Sequence, residues 1–558
     1  MSPREDAVQS TMQDVPLLIS RILTHGSTIH GSSQVITWTG EGEPQRRSFA
    51  EIGVRAARLA HALRGLGVEE GQPTGTLMWN NSEHVEAYFA IPSMGAVLHT
   101  LNLRLPPEQL AWIVNHAADR VIIANCSLLP LLAPLLPHLK SVEHVIVSGP
   151  GDRSLLDGAS VQVHEYEELI ADKPETYDWP ELDERQGAAM CYTSGTTGDP
   201  KGVVFSHRSV YLHSMQVNMA QSMGLTDQDT SLVVVPQFHV NAWGLPHATF
   251  MTGVNLLMPD RFLQPGPLAE MIESERPTHA AAVPTIWQGL LGELKAKPRD
   301  VSSLTQVTIG GSACPPSLMK AFDELGMRVC HAWGMTETSP LGTIARPPAQ
   351  VVGTDEEFTY RLTQGRFPAS VEARLTGPGG ERLPWDGESA GELEVRGPWV
   401  AGAYYGGHSA TEVLRPADKF SEDGWLKTGD VGTISPDGFL TLTDRAKDVI
   451  KSGGEWISSV ELENALMSHP DIAEAAVVAV PDEKWGERPL ATVVLKEGTT
   501  ADFKSLRAFL SDEGKIAKWQ LPERWSIVEA VPKTSVGKFD KKVLRRQYAN
   551  GQLDVTQL

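Results

Sequence analysis

Apolar positions along the chain switch between two periods. Residues 50–66, AEIGVRAARLAHALRGL, place them at helical spacing and stop at Gly67, residues 74–79 read as a strand, and residues 84–96 return to the helical pattern. Two short apolar runs, 121–124 and 144–147, flank a Leu- and Pro-rich helical stretch, as crossover units of a parallel sheet require. Further strands are predicted at 187–192, 203–205, 231–236, 306–309 and 328–333, with helices opening at 206–209 and spanning 317–325. From Gly391 the pattern changes to short alternating strands and turns at 392–396, 425–431 and 438–442, which predicts a β-rich subdomain. A charge cluster, DRAKD at 444–448, marks a boundary. Beyond it a helix over 458–469 and strands over 472–480 and 490–495 predict a small domain of ordinary size. The expected fold class is α/β: a large N-terminal domain of parallel-type αβ layers plus a β-rich subdomain, residues 1–446, and a small α+β C-terminal domain, residues 447–558.

Composition narrows the chemistry. At 558 residues and 41% hydrophobic, the chain exceeds a single ordinary core and has the size of a globular enzyme. A formal net charge of -21 disfavours nucleic acid or an anionic membrane as the main partner, so anionic ligands must be held by local donors. Cys126, Cys191, Cys314 and Cys330 show no paired metal spacing and read as small core residues of a reduced compartment, with neither disulfide nor zinc. The N-terminus lacks a basic region followed by an apolar core. The most apolar long segment, 121–137, is broken by Asn125 and prolines, so a soluble cytoplasmic protein is expected.

Against this frame, CYTSGTTGDPKG at 191–202 stands out between two strands. Gly195, Gly198 and Gly202 permit close backbone approach, Thr193, Ser194, Thr196 and Thr197 add hydroxyls, and Lys201 supplies a cation: a phosphate loop. It does not fit G-x-x-x-x-G-K-[ST], which argues against an ordinary P-loop kinase or GTPase; a Gly/Thr surface loop is the alternative. The strand at 231–236 empties into QFHVNAWG, where open α/β sheets place ligands, although His239 and Trp243 could equally be interior residues. Gly310, Gly311 and Ser312 form a turn on which a flat ring could lie. The strand 328–333 delivers GMTETS, whose Glu337 between Thr336 and Thr338 could hold a divalent cation or merely cap a helix. Asp430, after a glycine, begins a turn, where it is either solvated or chelates two ribose hydroxyls; Arg445 could pair with it or with the ribose. Lys538 sits on a turn between Pro532 and Gly537 and either reaches into a cleft or belongs to a basic tail with Lys541, Lys542, Arg545 and Arg546.

Taken in order, YTSGTTGDPKG, WGMTETSP, WLKTGD, DRAKDVIKSGGEWIS and PKTSVGK resemble the adenylate-forming superfamily: acyl-CoA synthetases, peptide-synthetase adenylation domains and luciferases. The resemblance covers essentially the whole chain. It implies a mobile C-terminal domain and two half-reactions at one site, with ATP, Mg²⁺ and coenzyme A. A carboxylate attacks the α-phosphate of ATP to give acyl-AMP and pyrophosphate, and a thiol then displaces AMP.

Carried over by motif, Thr193, Ser194, Gly195, Thr196, Thr197 and Lys201 would bind the β- and γ-phosphates and Thr336 the α-phosphate. Glu337, with Thr196, would take Mg²⁺. Gly310, Gly311, Ser312, Trp333, Gly334 and Met335 would frame the adenine and the start of the acyl site, and Asp430 and Arg445 would take the ribose. Lys538 would neutralise charge building on the α-phosphate, a contribution whose removal typically costs ~10²–10³ in rate. Lys447 corresponds to the hinge, and Gly453 and Gly454 would leave room for a pantetheine arm.

FHVNAWGLP, with His239 and Trp243 at the acyl site and His239 also counted as catalytic, looks most like medium-chain fatty-acid and methylmercaptopropionate CoA ligases. Gly334, where acetate-specific relatives carry a bulky aromatic, should leave the pocket open to an apolar acid of up to roughly eight carbons. Val240-Asn241-Ala242-Trp243 lacks the aspartate that pairs an amino-acid amine. Trp456 departs from the arginine some relatives place near CoA. A homodimer is the assembly to test. Two other readings remain: an adenylating enzyme that loads a separate carrier protein or oxidises its adenylate, and a silent nucleotide- or acyl-binding relative.

Overall fold

The computed structural model describes residues 8, 10–193, 199–377, 379–408, 413–445, 448–452, 455–500, 502–512, 516–533 and 539–558. The helical stripe near the start is α1, Phe49–Gly65, opened by a capping box in which Ser48 accepts from the Glu51 N–H and Glu51 reaches back to Ser48. It packs on α2, Ser82–Ser93, a helix buried along its whole length.

A seven-stranded sheet is built from β1 (Pro73–Leu77), β2 (Val97–Thr100), β3 (Val121–Asn125), β4 (His144–Ser148), β5 (Gln162–Glu165), β6 (Gly187–Thr193) and β7 (Lys201–Ser206). Its order is β5-β4-β3-β1-β2-β6-β7, parallel throughout except for the terminal β6–β7 hairpin. Alternate side chains of these strands serve two cores. Val121 and Ile123 face the core shared with α1 and α2, whereas Ile122 and Ala124 face a second core beneath residues 126–142.

Ser206 caps α3, His207–Asn218, as the sequence predicts. A second, fourteen-stranded sheet contains the parallel run β8 (Thr230–Val233), β9 (Asn255–Met258), β10 (His279–Ala282), β11 (Gln306–Ile309) and β12 (Arg328–Gly334), in the order β9-β8-β10-β11-β12, with α4, Leu245–Thr252, between β8 and β9. Strand β13, Leu341–Ile344, then pairs antiparallel with β12. The β-rich region expected after Gly391 is present, and the ladder runs on into it: β14 (Gly391–Arg396), β15 (Leu426–Ile434) and β16 (Phe439–Arg445) belong to the same sheet. All four cysteines are free and buried.

Beyond β16 lie two further small core clusters, one joining α5 (Ser459–Met467), β17 (Ile472–Asp482), β18 (Gly486–Leu495) and β19 (Arg524–Ile527), the other joining β17 and β18 to α6 (Lys541–Ala549). Asp444, near the end of β16, accepts hydrogen bonds from the backbone N–H and the hydroxyl of Ser459, both at 2.6 Å. Among the described residues no helix is long and apolar enough to cross a membrane.

Candidate active site

Strand β8 leads into a loop held from several sides. The Asn80 side-chain amide donates to the carbonyls of Val233 (2.8 Å) and Val235 (2.9 Å), and its oxygen accepts from the Gln237 N–H. Tyr88 of α2 donates its hydroxyl to the Gln237 carbonyl. Past His239, which is half-buried, Val240, Asn241, Ala242 and Trp243 take φ of 47°, 50°, 49° and 57°, a left-handed turn completed by Gly244. Such a conformation costs a non-glycine residue about 1–2 kcal/mol, so buried contacts must hold it. Asn241, the residue of this run that tolerates it best, accepts from the Cys191 thiol at 3.2 Å, with the Tyr88 hydroxyl at 3.4 Å.

The turn lays the Trp243 ring on the glycine turn after β11. A Cβ at Gly310 would meet the indole at 3.1 Å. Gly311, next in line, has φ +84°. Behind the loop, His213 of α3 packs on Gly244, and its Nε2 accepts from the Leu341 N–H at 3.2 Å. Burial, reinforced by His247, pushes the His213 imidazole down to about 3 and so keeps it the neutral acceptor this contact needs.

The phosphate-loop lysine and the acidic residue of GMTETS meet through a tyrosine absent from the sequence expectations. Thr193, the last residue of β6, pairs with Lys201, the first of β7. The Lys201 ammonium lies over the Tyr404 ring, 5.3 Å from its centroid. The Tyr404 hydroxyl donates to Glu337 Oε1 at 2.7 Å, and the Ala401 N–H donates to the Glu337 carbonyl, also at 2.7 Å. Thr336 and Glu337 are both only 7% exposed, and no lysine or arginine among the described residues pairs with the Glu337 carboxylate.

Four residues earlier, Trp333 at the end of β12 donates its indole N–H to Asp430 Oδ2 at 2.8 Å, and the Arg445 Nε donates to Oδ1 at 2.7 Å. This corrects the expectation that Asp430 begins a turn: it lies within β15, 3% exposed, opposite Arg445 in the ladder. The reason is Gly429, whose φ of +72° lies at an irregularity where β15 runs past β14 and turns Asp430 inward. Gly334 has a packing reason as well. A Cβ there would stand 1.7 Å from the Pro340 carbonyl oxygen, so the close β12–β13 crossing demands glycine whatever fills the pocket. Met335 is half-buried and its N–H donates to Thr338 Oγ1, while Ser312 is exposed.

The sequence-predicted residues thus form two linked groups, Lys201 with Glu337 and Thr336, and Trp243 with Gly310 beside Trp333, Asp430 and Arg445. Ser194, Gly195, Thr196, Thr197, Lys447, Gly453, Gly454 and Lys538 lie outside the described residues. Around Lys538 the flanks are described: Lys533 and Phe539 bridge antiparallel.

A family model for AMP-binding enzymes matches residues 28–405. The chain belongs to this family. The model for the AMP-binding enzyme C-terminal domain matches residues 461–538. The chain is 45% identical over 537 residues to 3-methylmercaptopropionyl-CoA ligase of Ruegeria pomeroyi, covering 96% of this chain and 97% of the relative. It is 42% identical to the medium-chain-fatty-acid–CoA ligase of Ectopseudomonas oleovorans, covering 96% of both. Among solved structures, an anthranilate CoA ligase in complex with anthranoyl-AMP superposes with a TM-score of 0.84 at 25% identity over 97% of this AMP-binding enzyme.

Proposed function

We propose that this AMP-binding enzyme is an acid–CoA ligase that activates an apolar short- or medium-chain carboxylic acid, of fatty-acid or 3-methylmercaptopropionate type, as its adenylate and passes it to coenzyme A. The observation that carries the reading is the convergence of Lys201, Glu337 and the Trp333–Asp430–Arg445 line in a chain that matches such ligases almost end to end. The Trp243 indole against Gly310 supports an apolar acyl site alongside, with no acidic group in the left-handed turn to pair an amine.

In this reading Lys201 and the hydroxyls at 193–197 bind the terminal phosphates, and Asp430, oriented by Trp333 and Arg445, takes the ribose hydroxyls. The buried Glu337 carboxylate, with one hydrogen bond and no cationic partner among the described residues, fits a hard cation. With Thr196 it would hold Mg²⁺, whose charge offsets that of the phosphates. A carboxylate oxygen of the acid attacks the α-phosphorus, the bond to the bridging oxygen breaks, and pyrophosphate leaves with its electron pair. Lys538, delivered by the small domain, offsets the charge gathering on the α-phosphate, and Thr336 donates to it. The thiol of CoA then attacks the acyl carbonyl carbon, releasing AMP and the thiol proton. The domain boundary at 446/447 serves the exchange: rotation about Lys447 withdraws Lys538 and brings in Gly453 and Gly454.

The test is release of pyrophosphate and AMP from ATP against butyrate, hexanoate, octanoate and 3-methylmercaptopropionate, with and without CoA. Turnover that requires CoA and yields the thioester supports the ligase and names its acid. Pyrophosphate release with AMP retained in the presence of CoA would move the acceptor to a separate carrier protein.

A further inference from the structure

Glu337 and Lys201 lie on different elements, and one side chain touches both. Tyr404, in the two-residue strand Tyr404–Tyr405, gives its hydroxyl to Glu337 Oε1 at 2.7 Å and its ring to the Lys201 ammonium at 5.3 Å. The ring is 2% exposed and meets Phe420 edge-on at 5.6 Å, so it cannot swing away without opening the core. Three residues upstream the Ala401 N–H holds the Glu337 carbonyl, so this short segment grips the glutamate at backbone and carboxylate together.

The chemistry of the contacts is selective. A carboxylate that meets a cation through one oxygen presents a fixed lone pair only if its other oxygen is held, and a donor on the far side does that. A neutral hydroxyl leaves the full negative charge on Glu337, where a lysine or arginine would neutralise it. The same tyrosine offers Lys201 its electron-rich face, which attracts the ammonium without an ion pair. Lysine and glutamate, opposite charges from two motifs, are thereby kept from satisfying each other.

We propose that Tyr404 is a positioning residue of the nucleotide site, holding the Glu337 carboxylate through its hydroxyl and the Lys201 ammonium through its ring so that the two charges stay available to separate partners. The proposal rests on the ligase reading, in which Glu337 faces Mg²⁺ and Lys201 the terminal phosphates.

Calorimetric titration of the full-length protein, without acid or CoA, tests it: ATP with Mg²⁺, ATP without metal, and AMP without metal. Tyr404→Phe, which keeps the ring, is expected to weaken Mg²⁺-dependent ATP binding at least about 10-fold, as loss of a partner behind a metal ligand does, and to leave AMP binding unchanged. Tyr404→Leu is expected to weaken metal-free ATP binding as well, because Lys201 loses its platform, again with AMP unchanged. A phenylalanine variant that binds Mg²⁺ and ATP as the wild type does overturns the proposal, and so does equal weakening of ATP and AMP, which would mark Tyr404 as a packing residue. A wild type that binds neither nucleotide sinks the ligase reading itself.

Discussion

Two buried carboxylates, Glu86 and Glu337, each accept a tyrosine hydroxyl, and there the likeness ends. Glu86, fully buried on α2, takes Tyr166 at 2.6 Å, Arg55 Nε at 2.7 Å and the Arg47 guanidinium, which also reaches Glu83. Glu337 takes Tyr404 and no cation among the described residues. Removing an ionised carboxylate from water costs several kcal/mol unless a countercharge comes with it. Glu86 finds its countercharge within the fold and ties α1, α2 and Tyr166 together. Glu337 finds none among the described residues, and in the ligase reading the positive charge arrives with what binds. Burial alone would have ranked the two alike; the partners separate a fastening from a site.

Breaking the contrast at the structural end should have the largest effect. Glu86→Ala leaves Arg47 and Arg55 facing each other across a buried gap, with an expected loss of about 3–5 kcal/mol in stability, read as a fall in melting temperature, while activity per folded molecule is retained. At the functional end, Glu337→Gln keeps shape and the Tyr404 contact and removes only the charge. Pyrophosphate release should drop about 10²-fold with the melting temperature unchanged or raised. A stability loss at Glu337 matching that at Glu86 would collapse the comparison.

Acidity acts on the structural side through the buried histidines. His84 and His213 are pushed down to about 3, and His207, His247, His279 and His331 to about 4, by burial in every case. The unfolded chain, with ordinary values near 6.5, binds more protons than the native one below that pH. The stability held by these neutral imidazoles is therefore complete above pH 6.5 and lost as pH falls towards their folded values. Buried carboxyls raised by desolvation oppose the trend, and Asp260, raised to about 7, does so across the same window. Melting temperature should fall as pH drops below 6.5, and Asp260→Asn should steepen that fall.

What could be read in the sequence was local. Strands β1, β3, β4, β8, β11 and β12 announce themselves by short apolar runs, and the motif residues by their types and spacing. What could not be read joins distant positions. Tyr404 meets Glu337 across 67 residues, Trp333 meets Asp430 across 97, and the Cys191–Asn241 contact spans 50. Asn241 did carry a signal, since asparagine tolerates the left-handed region that its neighbours Val240 and Trp243 also adopt. A glycine before an aspartate signals a turn at Asp430, and only the ladder shows that Gly429 serves an irregularity inside a strand.

The central claim, that a carboxylate oxygen of the acid attacks the α-phosphorus of ATP, leaves a mark on the products. With the acid labelled by heavy oxygen in its carboxylate and CoA present, mass spectrometry of AMP and pyrophosphate reads the route directly. One labelled oxygen is expected in the AMP phosphate and none in pyrophosphate. Label in inorganic phosphate with ADP as co-product, or thioester formed with AMP unlabelled, would contradict it.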